Sequence, residues 1–210
     1  MRSGTRRRLR GVEFADVVRR RRMVRDYDPA RPVPPEVRER LLAHAIRAPS
    51  AGFTQGWAFL VLEAAEEREL FWSVTAGEGA PDAWLNRMRR APLLVVPLSS
   101  KEAYLDRYAE PDKGWTDRDE ARWPVPYWDV DAGMAALMML LTAVDEGLGA
   151  CLFGIPAERV DAFRDAFGIP GTHRPVGVVS VGYPGDGDRR SPSLQRGRRG
   201  VEEVVHRGSW

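Results

Sequence analysis

One cysteine, three histidines and two lysines in a chain of 210 residues remove several chemistries at the outset. Cys151 alone forms no internal disulfide, which points to a reducing compartment and to the cytoplasm. No histidine stands beside it in sequence to activate it, so it is expected to be a small buried hydrophobe and not a nucleophile. His44, His173 and His206 are dispersed, and no metal site is expected of them. No G-x-S-x-G elbow, G-x-G-x-x-G fingerprint or G-x-x-x-x-G-K-[ST] loop occurs, and the glycines of "GLGACLFG" follow a helix instead of opening one. A Rossmann or P-loop nucleotide site is therefore disfavoured. The longest apolar stretch, residues 132–144, falls short of the roughly 20 residues that a bilayer span requires. It reads as a core helix, and no membrane partner is expected. No apolar run follows the basic "MRSGTRRRLRGVEF", so export is not expected either.

What is present suffices for a full core. Hydrophobic residues make up 43% and aromatics 9% of the chain, a composition that suits one domain over residues 13–210. The 32 basic and 30 acidic side chains nearly cancel, which argues against a nucleic-acid partner for the whole molecule. The basic residues are almost all arginine. A nucleic-acid contact through the basic arm, residues 1–12, stays open as an accessory property, and that arm is expected to be flexible.

Hydrophobic periodicity gives alternating helices and strands without an internal repeat. Helices are expected from Phe14 into the arginine cluster, over "PPEVRERLLAHAIRA" with Val37, Leu41, Ala45 and Ala48 on one face, over residues 66–72 and 81–90, over residues 130–146, and over "PAERVDAFRDAF". Strands are expected at residues 57–62, "APLLVVPL", "ACLFGI" and "PVGVVSVGY". Residues 101–127 carry prolines and aromatics with no sustained period and read as a lid or binding loop. Beyond Gly185 the composition shifts to Gly, Pro, Ser and Arg, as in an extended tail. The tail's "VEEVV" and terminal Trp210 need something to pack against, and a neighbouring subunit is a candidate.

Arginine concentrates at both ends. "RRRRMVRDYD" carries Arg19, Arg20, Arg21, Arg22 and Arg25, and "RGRRG" carries Arg196, Arg198 and Arg199. Planar guanidinium groups grip phosphate bidentately, so two remote segments can converge on one phosphate, while a solvated basic face explains the same composition equally well.

The order of these segments resembles the nitroreductase family of flavin enzymes. "RRMVRDYDPARPVPPEV" is similar to that family's Arg-Arg-Ser-x-Arg-x-aromatic opening, and "APSAGFTQGWAF" to its A-P-S-x-x-N-x-Q-P-W strand entry. "DVDAGMAALMMLLTAVDEGLGACLFGI" resembles its central helix and G-L-G turn, and "VGYPG" with "RGRRGVEEVVHRGSW" its terminal arm. The resemblance implies an α+β fold with a central, mostly antiparallel sheet flanked by helices. It also implies a homodimer holding FMN at the subunit interface, with residues 186–210 as an arm over the partner. NADH or NADPH and a small-molecule electron acceptor, nitro-containing or conjugated, would use the flavin in turn by a ping-pong scheme.

By the same resemblance Arg21, Arg22, Arg25 and Arg198 address the FMN phosphate and ribityl chain, and Arg196 stands where the family often has lysine. Pro49, Ser50, Ala51, Gly52, Phe53 and Gln55 form a flavin-contacting loop. Leu152, Phe153 and Gly154 correspond to the segment whose backbone N–H faces flavin N5. Tyr104, Tyr108, Trp115, Trp123, Tyr127 and Trp128 either roof the flavin or form a packed excursion at a dimer surface. Met23 replaces the usual serine, Phe53 the usual asparagine and Gly56 the usual proline, while Leu137 and Met138 take positions often held by Gln and Asn. These departures make the site more apolar than the family's pattern. They leave open a flavin-binding or flavin-cleaving homologue, similar to the enzymes that make 5,6-dimethylbenzimidazole, without ordinary turnover.

Overall fold

The structure, a computed structural model, describes residues 13–77 and 80–210. The arm expected to be flexible, residues 1–12, lies outside the described residues. In chain order the helices are α1 (Phe14–Arg20), α2 (Pro35–Ala45), α3 (Ala65–Thr75), α4 (Ala83–Met88), α5 (Lys101–Ala109), α6 (Tyr127–Asp145), α7 (Val160–Ala166) and α8 (Val201–Val204). The strands are β1 (Trp57–Leu62), β2 (Leu93–Ser99), β3 (Gly149–Phe153), β4 (Arg174–Pro175) and β5 (Val178–Gly182).

An open antiparallel sheet in the order β1-β2-β5-β3 forms the centre, with β4 added beside β2. Every residue of β2 is buried because both faces of the sheet are covered, which is why "APLLVVPL" reads as one apolar run instead of an alternation. Leu93 and Val95 of β2 point with Val179 and Val181 into a core shared with α2 and α6. Leu94, Val96 and Leu98 point the other way, into a core with Phe71, Trp72, Met88 and Phe163 from α3, α4 and α7. A one-residue slip of β2 would exchange these two sets.

Helix α6 is the long element of the first core. Ala135, Ala136, Met139 and Ala143 are buried against Val37, Leu41 and Ala45 of α2, so small side chains sit where the helices approach. Among the described residues it is the one helix long and apolar enough to cross a membrane by length and composition. Its packing against α2 and the sheet accounts for the buried part of that apolarity.

The N-terminal segment is fixed across one end of the sheet. Val24 N–H donates to Ala150 O at 3.0 Å, Asp28 N–H to Tyr183 O at 2.9 Å, and Gly185 N–H to Asp26 O at 3.0 Å. Tyr27 is fully buried, with its hydroxyl donating to Val24 O and sharing a hydrogen bond with Ser180 Oγ, both at 2.8 Å. Gly149 makes this crossing possible, because an added Cβ there would stand 2.6 Å from Val24 Cγ2. The arginine cluster before Val24 is thus held beside the start of β3.

Two expectations need correction. Residues 101–127 lack a sustained sequence period, yet they contain the nine-residue α5 and a 3₁₀ turn at Glu120–Arg122. Ser100 starts α5 by accepting the Ala103 N–H, and only Tyr104 and Leu105 are buried in it, so the apolar stripe is too short to register as a period. The expected helix at residues 130–146 begins three residues earlier, at Tyr127.

Candidate functional site

A cavity of about 860 Å³ lies between the end of α1, the turn after α6 and the C-terminal segment. Among the described residues seven arginines line it and no acidic side chain does. Arg19 and Arg22 hold carboxylates, those of Asp16 and Asp188. Arg20, Arg21, Arg25, Arg190 and Arg198 make no side-chain ion pair among the described residues. Guanidinium groups gathered at one cavity without counter-charges repel each other, so the arrangement favours an anion with several acceptor oxygens. The family resemblance paired Arg21, Arg22 and Arg25 with Arg198, and the structure brings these four, together with Met23, to the lining of one cavity. Arg196, by contrast, is exposed and does not line the cavity.

Arg190 adds a guanidinium that sequence reasoning passed over, since it sits in a Gly-, Pro- and Ser-rich tail. Asp188 is a second omission. Its side chain is only 2% exposed, pairs with Arg22 and accepts the Arg25 N–H at 3.0 Å. It fixes the backbone direction from which Arg22 and Arg25 enter the cavity.

Leu152 meets the same segment from the sheet. Its N–H donates to Met23 Sδ at 3.4 Å, and Met23 pairs with Ala150 in a short parallel bridge. Phe153 points elsewhere, with its ring stacked on Trp72 at 5.6 Å and 7° in the second core. Gly154, one residue on, is exposed.

The run from Pro49 to Gln55 lies at a different place. Gly52, Phe53 and Gln55 all have positive φ, of 61°, 55° and 54°. For a phenylalanine this left-handed conformation is strained, by about 1–3 kcal/mol, and such strain persists only where surroundings impose it. Phe53 is nevertheless 77% exposed. Several bonds hold the turn: Gln55 N–H donates to Ser50 Oγ at 3.0 Å, Thr54 Oγ1 to Ala51 O at 2.6 Å, and Arg107 Nε to Gly52 O at 3.1 Å. Asp131, 1% exposed on α6, accepts the Ala51 N–H at 2.8 Å and the Tyr104 hydroxyl at 2.6 Å through the same oxygen. Burial and that bond to Asp131 push the Tyr104 phenol above its usual range. In sequence, Asp131 reads only as the polar boundary of an apolar run.

The aromatic excursion packs on this loop. Trp123 sits among Tyr104, Tyr108, Trp115, Tyr127 and Trp128, with ring centroids between 4.5 and 6.0 Å from its own. An added Cβ at Gly52 would stand 2.7 Å from the Tyr108 ring, so only glycine lets the ring lie that close.

The two groups of assigned residues therefore occupy opposite ends of α6. Asp131 touches the loop, while Val144 and the turn at Gly147 line the arginine cavity. Thirteen residues of helix separate them by about 20 Å. Between the ends, Val130, Met134, Leu137 and Leu141 recur at helical spacing on a face left partly open, with Val130 and Leu137 exposed. No cluster of His, Cys, Asp and Glu suited to a metal ion occurs among the described residues.

The Nitroreductase family model matches residues 18–183. An Archaeoglobus fulgidus protein provisionally named NADH dehydrogenase/NAD(P)H nitroreductase is 28% identical over 200 residues, which cover 94% of this chain and 99% of that one. A solved structure from Clostridium acetobutylicum, provisionally named an NADH oxidase, is similar with a TM-score of 0.67 and 28% identity over 93% of this chain and 100% of that one. A provisionally named nitroreductase from Exiguobacterium sibiricum, solved in complex with FMN, shares the fold with a TM-score of 0.69 at 20% identity, over 93% and 97% of the two chains.

Proposed function

This chain belongs to the nitroreductase family, and we propose that it is an FMN-dependent oxidoreductase that uses NADH or NADPH to reduce a nitro-containing or conjugated organic acceptor by a ping-pong mechanism. The observation that carries the reading is the arginine cavity, which has no acidic lining among the described residues. A phosphomonoester dianion matches the guanidiniums of Arg21, Arg25 and Arg198, with Arg22 held in place by Asp188. The cavity volume, about 860 Å³, leaves room for more than a phosphate. These residues fit FMN, whose ring, when bound, supplies the hydride chemistry.

The chain's own residues bind, orient and shield. Met23 presents a thioether where a hydroxyl is usual and occupies the Leu152 N–H, so that donor is available to a ligand only when Met23 turns aside. No side chain in the cavity is needed as an acid or base for hydride delivery, and none is assigned that role. The strained loop at Ser50–Gln55 offers small side chains, backbone donors and the exposed Phe53 ring to an apolar partner.

The wide separation of the loop from the cavity supports a homodimer. Two copies pairing their α6 helices in antiparallel fashion through Val130, Met134, Leu137 and Leu141 would set the loop of one against the arginine cavity of the other. The C-terminal arm supports the same assembly. Val201, Val204, Val205 and Trp210 are all exposed in the single chain, and a partner surface would cover them.

The test is an absorbance spectrum of the purified protein with mass identification of the released chromophore, followed by anaerobic addition of NADH and NADPH. Bound FMN that bleaches with either donor is the expected result. A protein that neither carries nor takes up FMN overturns the reading, and FMN untouched by both donors replaces it with a flavin-binding or flavin-cleaving homologue.

A further inference from the structure

A second, smaller cleft of about 310 Å³ adjoins the arginine cavity and shares Arg25, Arg190 and Ser191 with it. Arg87 and Arg189 belong to this cleft alone. Its two carboxylates are already committed: Asp26, 2% exposed, pairs with Arg90 at 2.9 Å, and Asp188 pairs with Arg22. Arg25, Arg87 and Arg190 hold no carboxylate among the described residues, so the cleft lining carries a net positive excess. Arg189 is partly occupied, donating to Asp186 O at 2.8 Å.

The cleft also has an aromatic wall. Trp84 and Arg87 stand three residues apart on α4 and both line it, so one helix face offers an indole and a guanidinium side by side. The indole is held edge-to-face by Phe153, with ring centroids 5.8 Å apart at 81°, which fixes its plane. A fixed aromatic surface beside unpaired guanidiniums matches a purine base carrying a phosphate, since bases stack on indole and phosphates take bidentate guanidinium contacts. The shared wall with the larger cavity gives such a ligand a covalent continuation.

We propose that this cleft is an adenylate subsite, which takes the adenosine-phosphate half of a dinucleotide whose other half lies in or over the arginine cavity. The inference rests on the flavin reading of that cavity. Two dinucleotides carry this half: FAD, continuing from the flavin phosphate, and the nicotinamide donor.

The probe is AMP, titrated by calorimetry into the protein with and without FMN, beside inorganic phosphate. Binding of AMP to the FMN-loaded protein is expected, weakened about tenfold or more by Arg87→Glu, while FMN affinity stays within about twofold. Trp84→Leu is expected to weaken AMP and leave phosphate unchanged. Arg87 is exposed, so its variant is expected to fold even if the Trp84 variant does not. FAD binding more tightly than FMN, with the difference lost in Arg87→Glu, identifies the cofactor as the source. A raised KM for NADH or NADPH in that variant, with FMN and FAD equal, identifies the donor. The proposal is overturned if AMP does not bind, if Arg87→Glu leaves its binding unchanged, or if AMP binds while neither dinucleotide responds. A protein that takes no FMN sinks the flavin reading, whereas the AMP, FAD and donor titrations of that flavin-free protein still decide the cleft.

Discussion

Replacing Asp131 with alanine removes one acceptor oxygen and leaves two donors without a partner. The Ala51 N–H and the fully buried Tyr104 hydroxyl both bond to that oxygen, at 2.8 and 2.6 Å. Hydrogen bonds to a charged group contribute about 1.5–3 kcal/mol each, and relief of burying the carboxylate offsets part of the sum. A net loss of about 2–4 kcal/mol is expected. For a chain of this length that lowers the melting temperature by roughly 5–15 °C. Asp131→Asn keeps an acceptor oxygen and should lose about half as much. Urea unfolding followed by tryptophan fluorescence reads both variants, and FMN titration reads the loop, whose affinity should fall in the order wild type, Asn, Ala. A loss below about 1 kcal/mol in Asp131→Ala, or an asparagine variant as damaged as the alanine one, would refute the assignment of Asp131 as the tie between loop and aromatic cluster.

Four further outcomes follow from the same geometry. Arg21→Ala should weaken FMN by about 10- to 100-fold while leaving riboflavin binding unchanged, because the lost contact is to phosphate; equal losses for both ligands would remove Arg21 from that role. Phe53→Asn should raise the unfolding free energy by about 0.5–1 kcal/mol, since asparagine tolerates the positive φ that phenylalanine does not; a destabilisation in a urea melt would contradict the strain. Burial raises the Tyr27 phenol, so the folded chain keeps its proton after the unfolded tyrosine ionises near pH 10. Stability should be insensitive to this group below about pH 10 and then fall by about 1.4 kcal/mol per pH unit above it, a decline that Tyr27→Phe should reduce. Burial likewise raises the Cys151 thiol, so alkylation at pH 8 should proceed only in denaturant, and labelling of the native protein would place the thiol at the surface.

The sheet could be read from the sequence because its strands are buried on both faces, which writes continuous apolar runs into "APLLVVPL" and "PVGVVSVGY". That Arg21, Arg25 and Arg198 line one cavity was only half legible: two remote arginine segments can meet at one phosphate, yet a solvated basic face suits the same composition, and the family resemblance alone singled these residues out. Asp131 was not: its partners lie 80 and 27 residues away, and a single acid at the edge of an apolar helix looks like any boundary. Helix α5 stayed hidden because only two of its residues reach the core. Nor does local spacing contain the distance along α6 between loop and cavity, on which the proposed dimer rests.

The central claim is that one FMN is held between the arginine cavity of one chain and the Ser50–Gln55 loop of another. Two differently tagged chains, one with Arg21→Ala and Arg25→Ala, the other with Asp131→Ala, can be co-expressed and the mixed dimer isolated through both tags. If sites are shared between chains, one of the two carries every defect and the other none. The account predicts one FMN per mixed dimer, while each parental dimer binds weakly. A mixed dimer that binds no FMN would mean that cavity and loop serve the cofactor within a single chain, and would contradict it.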